Sequence, residues 1–476
     1  MLALILLLLG GGTPARAQAH EEGEEEHSES RFSDEPIPLA DIPKRPRPLI
    51  ELGEPFLGTG TLSQGIRLPT GAVWQPAFLA FGTLRSAAQG IDNGVDDARF
   101  VEAAARFDLF GNLYLTQTER VLIGFRPLDQ DGRFTRFTLS ADPALPDSLD
   151  DFQDELNFGI RTLFFEGDLG ELFPALDWDD SGGLDYGLSV GRQPLSFQDG
   201  LLINEDAIDA VGLTRANVRL GSLVNVRITG LFAWGDIDRP AAGGNAGDKS
   251  AWLVGLFTET DSRTRTVELD ALYVSADDET GDGLYVGLGT TRRLGRYSNT
   301  LRVLASFPVG DETVANRQGI LFHNQLSWTP HHTHNHVYIN GFLGVGEFRS
   351  AARSPSAGGP LGRTGILFAA VGLGRYGAAL SNQADRAFGG SAGYQMFFDH
   401  TRKQLVIEVG GRSTYGDAPP ASRDALAVGA RFQMAFGRRG VIVLDGFGSY
   451  DFDGLDPGGN NSDLSFGGRV EVVIKL

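Results

Sequence analysis

Residues 403–451 read KQLVIEVGGRSTYGDAPPASRDALAVGARFQMAFGRRGVIVLDGFGSYD, three strand-like segments joined by one long and one short connector. Leu405, Ile407 and Val409 share one parity, while Gln404, Glu408 and Arg412 share the other. Side chains alternate faces along a strand, so each segment carries one apolar face and one ionic face. The connector 415–422 is full of turn formers, whereas Arg438-Arg439 is a tight reversal. Two facts emerge from this one stretch: a period of 2, and loops that alternate in length.

Both extend through the chain. Leu464, Phe466, Val470, Val472, Ile474 and Leu476 oppose Ser465, Gly467, Arg469, Glu471 and Lys475. Val267, Leu269, Ala271 and Tyr273 oppose Thr266, Glu268 and Asp270, and Leu156, Phe158, Ile160 and Phe164 oppose Glu155, Asn157 and Arg161. Counting such segments predicts 18 strands, at 72–88, 98–113, 119–127, 155–168, 184–195, 203–216, 223–235, 250–260, 263–276, 283–294, 299–308, 317–329, 336–348, 386–398, 403–414, 423–437, 440–451 and 463–476. Even-to-odd connections are mostly short, as at Gln117-Thr118, Asp261-Ser262 and 399–402. Odd-to-even ones are mostly longer: 128–154, 236–249, 349–385, 415–422 and 452–462. Tight turns at one rim and long loops at the other mark a transmembrane antiparallel β-barrel of the outer-membrane type, here of about 18 strands (16–18 allowed). Period alone does not say which face meets lipid. A soluble barrel of this size would enclose more space than side chains fill, which favours apolar faces outward. Phe125, Trp178, Tyr186, Trp234, Trp328, Tyr338, Phe398 and Phe436 fall near strand ends and are candidates for interfacial girdles.

Composition and the chain start fit this reading. Met1–Ala19, MLALILLLLGGGTPARAQA, has an apolar run and a small-x-small site at Ala17-Gln18-Ala19, the pattern of a secretory signal peptide over 1–19. Residues 20–68 are acidic, then Pro-rich, and are expected to be a disordered periplasmic segment before a barrel at 69–476. A net charge of −20 argues against nucleic acid as a partner, and the absence of cysteine removes disulfides and thiolate metal sites. Expected partners are outer-membrane lipid, the barrel-assembly machinery and small hydrophilic solutes.

Gly191–Asn217, GRQPLSFQDGLLINEDAIDAVGLTRAN, resembles the alginate-export family of outer-membrane porins through Gly191-Arg192-Gln193, Phe197, Gly200 and the strand Asp209–Arg215. The resemblance implies an 18-stranded monomeric barrel in a Gram-negative outer membrane. That family's lumen is strongly basic and guides polyuronate. The inward parity here mixes Arg161, Arg227, Arg302, Arg431 and Arg469 with Glu155, Glu268, Asp270 and Glu408.

Those nine residues are the candidate pore-lining set. A guanidinium keeps its charge and grips carboxylates with two donors, so the arginines are the candidate selectivity groups; the plainer alternative is structural cross-lumen ion pairing with the four carboxylates of the set. Loops 128–154 and 349–385 are candidate constrictions, the second with Arg363 and Arg375 among glycines and apolar residues. Asp177, Asp179, Ser181 and Asp185 match the first half of a calcium loop, but Leu188 stands where the bidentate Glu belongs, so an acidic turn without metal is expected. HHTHNH at 331–336 has no scaffold to fix a metal. His323 and His400 are the strand-associated histidines, and no hydrolase or nucleotide-binding motif surrounds them, so neither enzyme activity nor a cofactor is expected. The sequence thus predicts an outer-membrane channel for small hydrophilic solutes or ions, anionic organic or sugar-like compounds among them. The alternative is a scaffold sleeve for a secretion, efflux or electron-transfer partner.

Overall fold

The computed structural model describes residues 46–53, 64–92, 99–116, 118–130, 132–140, 152–177, 182–221, 223–239, 246–248, 250–277, 280–419, 423–452 and 464–476. The expected signal peptide, 1–19, and most of 20–68 lie outside the described residues. Eighteen antiparallel strands close into one barrel. They are β1 (Ala77–Asp92), β2 (Arg99–Tyr114), β3 (Arg120–Phe125), β4 (Ile160–Asp168), β5 (Tyr186–Phe197), β6 (Ile203–Leu220), β7 (Leu223–Trp234), β8 (Trp252–Asp261) and β9 (Arg265–Ser275). The second half runs β10 (Asp282–Leu294), β11 (Tyr297–Val309), β12 (Gly319–Trp328), β13 (His336–Gly346), β14 (Ala387–Phe398), β15 (Lys403–Thr414), β16 (Ala425–Phe436), β17 (Gly440–Asp451) and β18 (Leu464–Lys475). Each strand pairs with its sequence neighbour, and β18 closes on β1 in the register Lys475↔Thr83 to Phe466↔Asp92. Closure leaves no edge for another chain to extend.

Exposure settles which face is which. Leu269 is 53% exposed and Asp270 beside it 4%; Val409 is 59% exposed and Glu408 0%. A protein dissolved in water would invert that order, because exposed leucines at alternate positions on many strands form an apolar belt suited to hydrocarbon. The aromatic girdles follow. Phe232, Trp234, Trp252 and Tyr273 cluster at the long-loop rim, with Trp252 and Tyr273 rings 5.5 Å apart. Tyr297 and Trp328 pair at 5.7 Å on the short-turn rim, where Phe398 and Phe436 are also exposed. Tyr338 departs from the expected girdle: it points inward and donates to Glu408. Trp178 lies outside the described residues.

Two segments differ from the sequence expectation. Strand β4 begins at Ile160 rather than 155, and a bulge between Ile160 and Thr162 resets its parity, so Phe164 faces inward opposite Leu122 at 9% exposure. Loop 128–154 is not a constriction in its described part. Its strand Arg133–Ser140 pairs with the outer half of β2, placing Phe137 and Leu139 on the exposed face as a patch of wall. Within the region expected to lack structure, Ile50–Leu52 pairs with Phe78–Ala80 of β1. Leu476 bonds Gly82 just above that point, so Ile50 and Leu52 continue the seam where β18 stops.

Candidate functional site

The connector between β13 and β14, residues 347–386, does not stand outside the barrel. Its apolar residues need cover, and Leu361, Leu367, Phe368, Leu373 and Leu380 are all at most 1% exposed within the bore. Backbone groups taken out of water need partners, and the wall supplies them. Glu408 of β15 accepts from the backbone N–H groups of Ile366 (2.9 Å) and Leu367 (3.1 Å). Arg85 donates to Val371 O (3.1 Å), Arg106 to Gly372 O (3.3 Å) and Gln89 to Leu373 O (3.0 Å). Glu102 takes the Arg375 backbone N–H at 2.6 Å and its Nε at 3.3 Å. Arg412 donates to the carbonyls of Ser381 and Gln383, and His323 bonds Thr364 at 3.1 Å. Fastenings on β1, β2, β12 and β15 carry the loop across the lumen. Gly365 and Gly374, both with φ near +60°, sit where a Cβ would strike Glu408 and Glu102 respectively.

Replacing Glu408 by Ala should release this loop. It orphans two buried N–H groups and the Tyr338 hydroxyl, at about 1–3 kcal/mol for each unsatisfied group. Single-channel recordings are expected to show a larger, noisier unitary current. A current matching the native one would mean the loop is held without Glu408.

A second element enters the bore from the same rim. The β5–β6 connection, 198–202, folds inward, and Leu201, Leu202 and Ile203 are at most 3% exposed. Residues 350–354 of the loop add to it: Ile203 and Asn204 pair in parallel with Ala352 and Arg353. Ser350 Oγ donates to Leu201 O (2.7 Å) and Ala351 N to Leu202 O (2.9 Å). Arg353, 1% exposed, donates to the carbonyls of Gly200, Pro360 and Ala357. Burial pulls its pKa down to about 9, and Glu205 opposes the shift, so it remains charged at neutral pH. Burial likewise raises Asp385 and Asp129, against the pull of Arg349 and Arg126.

The predicted lining residues fall into three groups. Arg431 and Arg469 grip Asp445 at 2.6 and 3.1 Å, and Arg469 also meets Glu471, which Arg85 holds at 2.5 Å. Arg302 lies 3.6 Å from Glu268 and 3.9 Å from Asp199, Arg227 pairs with Glu259, and Asp270 accepts from Gln198 at 2.8 Å. Glu155 sits ahead of β4, 3.8 Å from Arg133, and Arg161 lies near enough to lower Asp129. In the loop, Arg375 rests on Glu102 and Arg363 reaches Ser196 Oγ at 3.3 Å. Arg302, Arg431 and Arg469 are therefore paired, the last two with acids outside the predicted set, while Arg227 and Arg363 keep exposed contacts.

Sequence reasoning missed Arg85, Arg106, Arg126, Gln198, Asp199 and Arg353. Arg126 joins Asp108 (2.8 Å), Asp206 (3.1 Å) and Asp129 (3.4 Å). Asp129 is a near neighbour in sequence, but Asp108 and Asp206 come from other parts of the chain and were not readable. The apolar run Leu201-Leu202-Ile203 in a connector was the signal for the inward hairpin. Of the calcium-like set, Asp179 and Ser181 lie outside the described residues. No group of three or more His, Cys, Asp or Glu among the described residues is suited to a metal.

No protein-family model and no curated protein sequence matches the chain. Solved structures do match, over most of the length. A BenF-like porin from Pseudomonas fluorescens aligns over 84% of this chain and 98% of its own, with TM-score 0.54 and 11% identity. This chain shares the fold of that porin. Pseudomonas aeruginosa OpdK, solved with vanillate, aligns over 83% and 98% with TM-score 0.50 and 11% identity. OccK2 (OpdF) of the same organism, in complex with glucuronate, gives 83% and 98%, 0.51 and 11%. These matches overturn the resemblance to alginate-export porins. The stretch 191–217 forms the β5–β6 hairpin, and its glycines answer local geometry: Gly191 has φ 122° against the β4 backbone, and Gly200 has φ 76° at the turn. Such features describe a barrel hairpin and not a solute.

Proposed function

We propose that the chain is an outer-membrane channel through which small hydrophilic solutes diffuse, filtered by size at the inward loop and by charge along the bore. The observation that carries this reading is the loop 347–386, fastened across the lumen by side chains of β1, β2, β12 and β15 rather than left hanging outside. A bore of 18 strands without it would pass large solutes; with it, only the remainder of the lumen is free. Porins of this fold solved with vanillate and with glucuronate hold small carboxylates. The exposed guanidinium of Arg363 and the half-exposed one of Arg227 offer donors for that chemistry here. A sleeve around a threaded protein partner fits less well, because this loop occupies the space the partner would need. Insertion by the barrel-assembly machinery and export through a leader cleaved after Ala19 belong to the same proposal.

The test is electrical. Purified protein in planar bilayers should conduct without a partner. Replacing Arg161, Arg227 and Arg302 together by Gln should shift the reversal potential in a salt gradient toward cations, because Glu259, Glu268 and Asp199 lose their counterions. An unchanged reversal potential would show that these side chains do not face the ion path, and a closed native protein would remove the channel reading altogether.

A further inference from the structure

The tip of the β5–β6 hairpin carries an expensive backbone. Gln198 and Asp199 are consecutive non-glycine residues with φ of 53° and 57°, followed by Gly200 at 76°. Residues other than glycine adopt this left-handed region uncommonly, Asp more readily than most. Strands β9 and β10 of the wall hold the tip. Gln198 is 3% exposed, and its Nε2 donates to Asp270 of β9 at 2.8 Å. The wall beneath it has been hollowed: Gly287 and Gly289 of β10 face inward, and a Cβ on either would stand 2.9 Å from Gln198 Cγ or 2.7 Å from its Oε1. From the other side, the Arg353 guanidinium holds Gly200 O and ties the tip to the inward loop. Between these two anchors stands Asp199. Its side chain is 44% exposed, and the cation beside it, Arg302, is 3.9 Å away. Held in this way, the tip keeps one carboxylate out in the bore.

We infer that Asp199 is a specificity-determining residue of the channel and that Gln198, seated on Asp270 over Gly287 and Gly289, is the residue that positions it. The inference rests on the channel reading above and adds to it a named acidic gatepost on the hairpin that Arg363 also touches. A carboxylate fixed at the aperture attracts cations and repels anions at short range, so anionic solutes must pass it under the cover of Arg302 and Arg363.

The experiment measures reversal potentials of single channels in a potassium chloride gradient, on protein whose barrel is first shown to be folded by its heat-dependent mobility in detergent gels. Asp199→Asn is expected to lower the cation-to-anion permeability ratio by about two- to three-fold, the effect of one nearby charge in a wet lumen. Gln198→Ala, which changes no charge, is expected to shift the ratio in the same direction. The exchange Gln198→Glu with Asp270→Asn keeps both the hydrogen bond and the net charge, and should restore the native ratio. Gly287→Ala displaces Gln198 from the wall and must act like Gln198→Ala, which keeps the test decisive if that variant fails to fold. The inference is overturned if Asp199→Asn leaves the ratio unchanged in a conducting channel, or if both Gln198→Ala and Gly287→Ala behave as native protein. A native protein that does not conduct refutes the channel reading instead, so the two failures are told apart.

Discussion

Excising residues 361–381 and joining Pro360 to Asn382 through a short Gly-Ser linker is expected to raise the unitary conductance several-fold and to abolish most discrimination between solutes. The cut is geometrically mild, because Leu361 N already donates to Asn382 O at 2.9 Å, and Gly359 N to the Asn382 side chain at 2.8 Å, so the two ends lie side by side. What leaves is the part fastened to Glu408, Gln89, Arg85, Arg106 and Glu102. The wall survives, since its strand ladders do not pass through the loop. Conductance in bilayers and liposome swelling with sugars of graded size measure the outcome. If the excised channel passes the same sizes as the native one, the aperture lies elsewhere.

The second large effect concerns stability. Arg469 is 6% exposed and stands between Asp445 and Glu471, with Arg431 and Arg85 on the outer flanks of the row. Replacing it with Leu leaves two nearly buried carboxylates facing each other with one fewer cation. Breaking a buried charge pair from one side costs about 3–5 kcal/mol. The row runs from Arg431 on β16 through β17 and β18 to Arg85 on β1, so the loss falls on the strands that close the barrel. Denaturant unfolding in micelles, followed by tryptophan fluorescence, should show the midpoint fall while lipid-face variants such as Leu444→Val change little. An unchanged midpoint would mean that water in the bore already shields these acids.

Much of this molecule was readable from the chain alone, and the reason is local. A period of 2 fixes the two faces of each strand, and connector length fixes the rims, so the strands appeared within a few residues of their places. Strand β4 went astray because its bulge at Ile160–Thr162 is a tertiary accommodation to β3, and nothing in the residues themselves announces it. The strand Arg133–Ser140 was hidden for a related reason: β3 is only six residues long, and the outer half of β2 needed another partner. The site was less legible than the wall. Parity placed Arg431 and Arg469 inside, but a side chain that is inside is either bare or paired, and the partner sits on another strand. Arg85 meets Glu471 across 386 positions of sequence. The inward hairpin was concealed by its brevity, since five residues read as an ordinary turn.

The loop's anchors also impose an order on biogenesis. Arg85 and Gln89 belong to the first strand of the ring, Glu408 to the fifteenth, and the loop itself is made between them. Its berth near Tyr376 is completed only when Arg469, in the final strand, swings into place above that ring. The berth is thus unfinished until the last strand pairs with the first, so docking of the loop and closure of the ring are one event.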